Sequence, residues 1–300
     1  MSDRRVVVAG ASGLIGSALV PALRADGWQV SRLVRRTVLQ QDEIGWDPAS
    51  GQLDATALAG CAAVIHLGGV SISTGRWTAA RKRAMHESRV ASTALLAGAI
   101  GRLANPPSAF IGASAIGWYG NRGDELLTEA SGPGAGFLAT LCGDWEAAAS
   151  GASQAGVRVL HARLGLVLSQ SGGAMARLLP LFRAGLGGRL GSGLQWWSWV
   201  TLADVVGVLL HLVRTNTVSG PVNVVSPRPV TNAEFSRQLA RVLRRPSLLP
   251  APAPLLRLAL GGMADELLLA SQRVSPTMLR DSGYAFQYPE LDAALRWLTD

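Results

Sequence analysis

Three glycines spaced three apart, Gly10, Gly13 and Gly16, follow the apolar run Val6-Val7-Val8-Ala9 near the start of the 300-residue chain. A backbone that turns sharply out of a buried strand, passes close to a phosphate and enters a tightly packed helix needs a residue without a Cβ at each of those points. The free N–H groups at such a helix start attract an anion. The stretch therefore predicts a dinucleotide-pyrophosphate site made by Gly10, Ser12, Gly13, Leu14, Ile15 and Gly16. A second chemical signal follows a predicted strand over Trp28–Val34. A carboxylate there would hold the ribose 2′-hydroxyl of NAD, whereas arginine accepts a 2′-phosphate. The chain has Arg35-Arg36 and no carboxylate before Asp42. Val34, Arg35 and Arg36 are thus expected to contact NADP(H), and a charge-assisted hydrogen bond of about 1.5–3 kcal/mol predicts a roughly ten- to hundredfold preference over NAD(H).

The elements that position these residues read as alternating strands and helices. Leu14, Ile15, Ala18, Leu19, Ala22 and Leu23 recur at helical spacing up to Gly27. The run Ala62–Gly69 is a buried strand ending in glycines. Ligands of an open parallel sheet lie beyond the carboxyl ends of its strands, so His66, Leu67, Gly68 and Gly69 are expected along the dinucleotide, through backbone contacts. Trp77–Leu103 is helix-forming and carries Ser88-Arg89. A strand over Ala109–Ala115 delivers Ser114 to the ligand edge, followed by Tyr119 and an acidic loop, Asp124–Glu129. Val157–Leu168 reads as one central strand, Leu178–Ala184 as a helix, and Gly185–Gly193 as a loop that approaches a ligand. In Gln195-Trp196-Trp197-Ser198-Trp199 the three indoles are expected in the core, with a stacking wall over substrate as the alternative. Thr201–Val213 returns to helix, Val222–Val225 to strand, and Thr231 with Glu234 forms a capping-box pattern. Ser275-Pro276 opens a short helix that Gly283 stops, and Leu291, Ala294, Leu295 and Leu298 share one face of the last. The expected architecture is α/β, a doubly wound parallel sheet, with residues 1–168 and the returning segment 201–225 binding the dinucleotide. Residues 169–200 and 226–300 would form a smaller C-terminal, substrate-side lobe.

Composition bounds the partners. At 48% hydrophobic and 16% charged the chain is globular, and its net charge of +8 is carried almost wholly by arginine, since Lys82 is the only lysine. Arg35-Arg36, Arg81-Lys82-Arg83 and Arg244-Arg245 lack interleaved aromatics, so an anionic small molecule is the expected partner and nucleic acid is not. Cys61 and Cys142 are far apart without metal spacing, and only Met1–Arg5 precede the first strand. These features predict no metal site, no signal peptide and a cytoplasmic protein. The apolar stretch Pro254–Ala270 is interrupted by Arg257, Asp265 and Glu266, which predicts a buried or groove-lining helix and no membrane partner.

Taken with His66-Leu67-Gly68-Gly69, the Ser114 strand and Tyr119-Gly120, the glycine motif makes the chain resemble the extended branch of the short-chain dehydrogenase/reductases. Arg163-Leu164-Gly165 and Trp199–Val206 extend the match. More narrowly it resembles NADP-binding "epimerase family" proteins akin to nucleoside-diphosphate-sugar epimerases. That likeness is carried by Arg76-Trp77, Ser88-Arg89-Val90, Phe137-Leu138-Ala139, Trp145-Glu146, Gly187–Gly193 and Ser275-Pro276. The resemblance implies a Rossmann-type fold and puts Arg89 beside the cofactor, where many relatives carry asparagine. It also implies a Tyr-x-x-x-Lys pair for proton transfer. The positions where that pair is expected read Phe137 and Leu141, neither of which transfers a proton, and Lys82 lies too early in the chain to be the usual partner. Ser114 and Tyr119 are therefore the catalytic candidates, one to hold a substrate carbonyl and one to act as acid. Ala115 is an alternative for the usual serine position, and Glu129, Asp144, Glu146 and His161 are further ionisable candidates. The function implied is an NADP(H)-binding oxidoreductase or epimerase-like enzyme on a small polar or anionic substrate, a nucleotide sugar being one candidate. The alternative is an NADP(H)-binding sensor or interaction protein without turnover.

Overall fold

In the computed structural model, which describes residues 3–247 and 249–299, the first strand β1 spans Asp3–Ala9. Val6 and Val8 point into one fully buried apolar core, Val7 and Ala9 into another. A strand with an apolar layer on each face belongs inside a parallel sheet, which is why its residues form a continuous apolar run.

The other strands of that sheet are β2 (Gln29–Val34), β3 (Glu43–Asp47), β4 (Gln52–Leu53), β5 (Cys61–His66), β6 (Ala109–Ala115), β7 (Arg158–Leu164) and β8 (Gly220–Val224). Their order is β8-β7-β6-β5-β1-β2-β3-β4, parallel throughout except for the short edge strand β4, which runs antiparallel to β3. The order reverses between β1 and β5, and the crevice beyond their carboxyl ends is where such a fold receives its ligand. Helix α1 (Leu14–Ala25) covers one face of the sheet with Leu19 and Leu23. The other face is covered by α2 (Ala79–Ile100) with Leu96 and Ile100 against Val64 and Phe110. After β6 comes α3 (Phe137–Ala147). The expected doubly wound α/β architecture is the one observed.

A third core lies outside the sheet. Helix α4 (Met175–Arg183) contributes Met175, Leu179 and Phe182, whereas α5 (Leu202–Arg214) returns to the first core beside α1. The third core is completed by Phe235 and Leu239 of α6 (Asn232–Val242). After α7 (Ala253–Leu260), helix α8 (Leu291–Thr299) adds Leu291, Ala294, Leu295 and Leu298. Trp197 and Trp199 belong to this core, 8% and 0% exposed. The indole cluster is therefore largely packing, as expected, while Trp196 stays half-buried with Asp124 accepting from its Nε1 at 2.7 Å.

Two expectations need correction. Val157–Leu168 is not one strand. The chain breaks at Gly165, where a Cβ would lie 2.5 Å from the carbonyl oxygen of Ser198, and Leu166–Leu168 pairs instead with Trp199–Thr201. Nor is Pro254–Ala270 one buried helix. Helix α7 has no buried residue, Leu255 and Leu258 being 61% and 73% exposed, and it stops at Gly261, whose φ of +62 suits glycine; a π-helical turn, Ala264–Leu268, follows. Among the described residues no helix is long and apolar enough to cross a membrane.

Candidate active site

The glycine turn is built as its spacing requires. Gly10 has φ +80, and a Cβ on it would sit 2.8 Å from the backbone nitrogen of Gly68; one on Gly16 would sit 2.2 Å from the carbonyl oxygen of Gly10. The N–H of Gly13 donates to that same oxygen at 3.0 Å, closing the turn. Gly13 caps α1 without any side-chain hydrogen bond, and no acidic residue lies in the helix's first turn. Ser12 and Gly13 are exposed, and Leu14 and Ile15 half-buried. The helix start thus presents unsatisfied donors and a positive dipole end to the crevice, an arrangement that fits a pyrophosphate.

The arginine pair divides. Arg36 makes a two-pronged ion pair with Glu43 of β3, one bond at 3.0 Å, and Arg32 reaches the same carboxylate at 3.1 Å. Glu43 also accepts from the N–H of Leu39, so Arg36, Leu39 and Arg32 together hold its carboxyl below the usual range. Arg36 is therefore committed to folding the loop after β2, which the sequence reading did not foresee. Arg35, beyond half-buried Val34, is exposed and makes no hydrogen bond or close ion pair among the described residues; after the hydrogen bonds from Ser50 and Ala49, its charge also helps to hold the Asp47 carboxyl below the usual range.

Beyond β5, the N–H of Leu67 donates to the carbonyl of Ala9 at 2.9 Å, which locks the two strand ends together. His66 is fully buried. Its Nδ1 accepts from the N–H of Gly68 at 3.4 Å, so its Nε2–H donates to Ser92 Oγ at 2.7 Å. Burial, helped by the Arg89 charge, pushes the imidazole pKa down to about 4, and the ring is neutral. It fixes the strand end rather than performing chemistry. Arg89 is 9% exposed and donates to the carbonyls of Val70 and Met85 at 3.0 and 3.1 Å. Its guanidinium lies over the Trp145 ring at 5.0 Å, and a Cβ on Gly69 would come within 2.9 Å of it. No carboxylate pairs with it among the described residues, and burial lowers its pKa. A cation so placed favours an anion beside Gly68 and Gly69.

At the carboxyl end of β6 the side chains satisfy one another. Ser114, 1% exposed, donates to Glu146 Oε1 at 2.6 Å; Arg163 grips both oxygens of Glu146 at 2.8 Å and donates to Tyr119 Oη at 3.1 Å. Tyr119 donates in turn to Asn223 Oδ1 at 2.7 Å. The two catalytic expectations do not fit this geometry. Tyr119 is fully buried and burial raises its pKa, while the proton of Ser114 is held by a carboxylate. Ala115, the alternative serine position, is half-buried and offers no side-chain polar group. Of the other candidates, Glu129 accepts from the N–H groups of Asn223 and Met278, burial raising its pKa. His161 is half-buried, its pKa lowered by burial, and Asp144 accepts from or pairs with His86 at 2.8 Å. Cys61 and Cys142 are buried thiols, pushed up to about 11 by burial.

Where the tyrosine–lysine pair was expected, α3 presents an apolar face. Leu141 is 2% exposed and packs with Leu138 and Met85; Phe137 meets the Trp77 ring edge-on at 5.4 Å. The helix start is capped from far along the chain, by Glu266, which accepts from the N–H groups of Phe137 and Leu138 at 3.0 and 2.7 Å. Lys82, remote in sequence, places its Nζ 4.9 Å from the Phe137 ring centre.

Comparison with known proteins agrees with this architecture. A family model described as the NAD dependent epimerase/dehydratase family matches residues 6–226, and one described as a domain of unknown function matches 251–298. An epimerase family protein of Mycobacterium bovis is 44% identical over 299 residues, covering 100% of this chain and 99% of its own. Among solved structures, human epimerase family protein SDR39U1 with NADPH is 34% identical with a TM-score of 0.88, over 98% of each chain. A nucleoside-diphosphate sugar epimerase from Corynebacterium glutamicum is also 34% identical, with a TM-score of 0.79 over 97% of this chain and 57% of that one.

Proposed function

The chain belongs to the NAD dependent epimerase/dehydratase family, and on that premise we propose that it is an NADP(H)-dependent oxidoreductase or epimerase-like enzyme. Its substrate in this reading is small and polar or anionic, with nucleotide sugars as one class, and its chemistry proceeds without a tyrosine–lysine pair. The observation that carries the reading is the uncapped start of α1 above Gly13, with the exposed guanidinium of Arg35, which makes no hydrogen bond among the described residues, beyond the neighbouring strand. The N–H groups from Leu14 to Gly16 would hold the pyrophosphate, Arg35 the 2′-phosphate, and Leu67, Gly68 and Gly69 would line the dinucleotide with Arg89 as countercharge. Bound there, NADP(H) supplies or accepts hydride. Residues 1–168 and 201–225 take the cofactor role in this reading, and 169–200 and 226–300 the substrate side. The two free, buried thiols fit a cytoplasmic setting in this reading.

The test is the affinity of wild type and Arg35→Ala for NADPH and NADH. Loss of a charge-assisted bond of about 1.5–3 kcal/mol should weaken NADPH roughly ten- to hundredfold and leave NADH unchanged. An unchanged preference removes Arg35 from the site. A second reading, an NADP(H)-binding sensor without turnover, is favoured by the sealed hydroxyl of Tyr119 and the apolar packing of Phe137. Following NADPH absorbance against a panel of carbonyl compounds and nucleotide sugars, with analysis for epimerised sugar, separates the two.

A further inference from the structure

Helix α2 carries two cations on one face that pair with no carboxylate among the described residues. Lys82 and Arg89 are seven residues apart, two turns or about 10 Å along the axis. Arg89 lies beyond β5 against Gly69, and Lys82 lies two turns nearer the start of the helix, over Phe137 on α3. Helices that follow parallel strands begin at the ligand edge of the sheet, and α2 follows β5 as α3 follows β6, which puts the starts of both helices on that edge.

The acidic groups on α3 and in the turn that caps it are already engaged. Asp144 on the facing helix is held by His86, Glu266 by the N–H groups that begin α3, and Asp265 by Arg257. No carboxylate pairs with Lys82 among the described residues, and the first turn of α2 contains no acidic residue. A cation in that first turn opposes the helix dipole, so the placement does nothing for the helix itself. The ring of Phe137 occupies one side of the ammonium and leaves its donors for another partner.

We propose that Lys82, half-buried above Phe137 where the usual tyrosine would stand, is a substrate-binding residue that holds a carboxylate on the reacting end of the substrate. Arg89 serves the cofactor end of the same face. This assignment rests on the NADP(H) reading above and names its substrate as carboxylate-bearing.

Two probes separate this charge from everything else. UDP-glucuronic acid and UDP-glucose share the nucleotide and differ at one sugar carbon, carboxylate against hydroxymethyl. Their affinities are to be measured by calorimetry on the NADP⁺-loaded full chain of wild type, Lys82→Met and Lys82→Arg, with thermal unfolding to verify folding. The wild type should bind the glucuronate at least tenfold more tightly. Lys82→Met, which keeps the apolar stem over Phe137, should abolish that difference, Lys82→Arg should retain most of it, and all three should bind NADPH within about twofold. Equal affinity for the two probes, no binding of either to protein that binds NADPH, or discrimination that survives Lys82→Met overturns the proposal. Failure of the wild type to bind NADPH overturns the cofactor reading and the Lys82 assignment with it.

Discussion

At the carboxyl ends of β1 and β5 the polar groups face the crevice, whereas at the carboxyl end of β6 they face one another. Among the described residues, Gly13 leaves its helix without a side-chain cap, Arg35 is exposed and makes no hydrogen bond, and Arg89 is buried against an indole with no carboxylate paired to it. On the same sheet the opposite holds: Ser114, Glu146, Arg163, Tyr119 and Asn223 form an unbroken chain of hydrogen bonds. Polar groups that bond one another hold a fold together, whereas exposed donors without a protein partner are left for a ligand, and that is the role the proposed cofactor reading gives to the start of α1 and to Arg35. The Ser114–Tyr119 cluster is part of the fold.

The contrast breaks most visibly at Glu146. Its side chain is 10% exposed and that of Arg163 4%, so Glu146→Ala leaves a buried guanidinium without countercharge. The expected loss of stability is about 3–5 kcal/mol in denaturant unfolding. If the variant unfolds at the wild-type midpoint, the cluster is not structural.

His66 adds a pH arm to the open region. Its folded-state pKa of about 4 lies below the ordinary 6.5, so the folded protein binds fewer protons than the unfolded chain between those values. Its contribution is fully present above pH 6.5, declines as pH falls towards 4, and is flat below, about 3 kcal/mol in all. His161 and His211, also lowered by burial, act in the same direction. The informative quantity is therefore the difference between wild type and His66→Gln, which should shrink across that window. A difference independent of pH would show that the imidazole is not kept neutral.

Gly16→Ala probes the same region sterically. The added Cβ would fall 2.2 Å from the Gly10 carbonyl oxygen, a backbone atom that cannot move without opening the turn. Overpacking of this kind costs about 1–3 kcal/mol, and NADPH affinity should fall at least tenfold as the donors splay. Retained affinity would mean that the turn does not form the cradle.

What could be read from the sequence was whatever depended on neighbours. The valines of β1, the glycine turn and the apolar face of α8 are local patterns, and each appears as expected. The partners that decide which side chains stay free are remote: Tyr119 and Asn223 are 104 residues apart, Phe137 and Glu266 129 apart. Glu146 resembles a helix-surface residue until the register of β6 on β7 sets Ser114 opposite Arg163, which creates the pocket its carboxylate fills. Arg36 looked like half of a phosphate clamp because β3 carries no strong strand signal, and only the β2–β3 pairing brings Glu43 beneath it. The approach of Lys82 to Phe137 likewise depends on how α2 packs on α3.

Tyr119→Phe sharpens the comparison with the smallest change, one oxygen atom. Removal leaves Asn223 Oδ1 without its donor and Arg163 Nη1 without an acceptor at 3.1 Å, in a cluster closed to water. Leaving buried groups unpaired costs about 1–3 kcal/mol, to be seen as a lower unfolding midpoint with an unchanged dependence on denaturant. Affinity for NADPH should stay within about twofold of wild type, because the hydroxyl faces β8 rather than the crevice between β1 and β5. Should a turnover be found, it should survive in Tyr119→Phe apart from this loss of stability. Abolished turnover in a variant of wild-type stability would restore the tyrosine as the acid and require the cluster to open during the reaction.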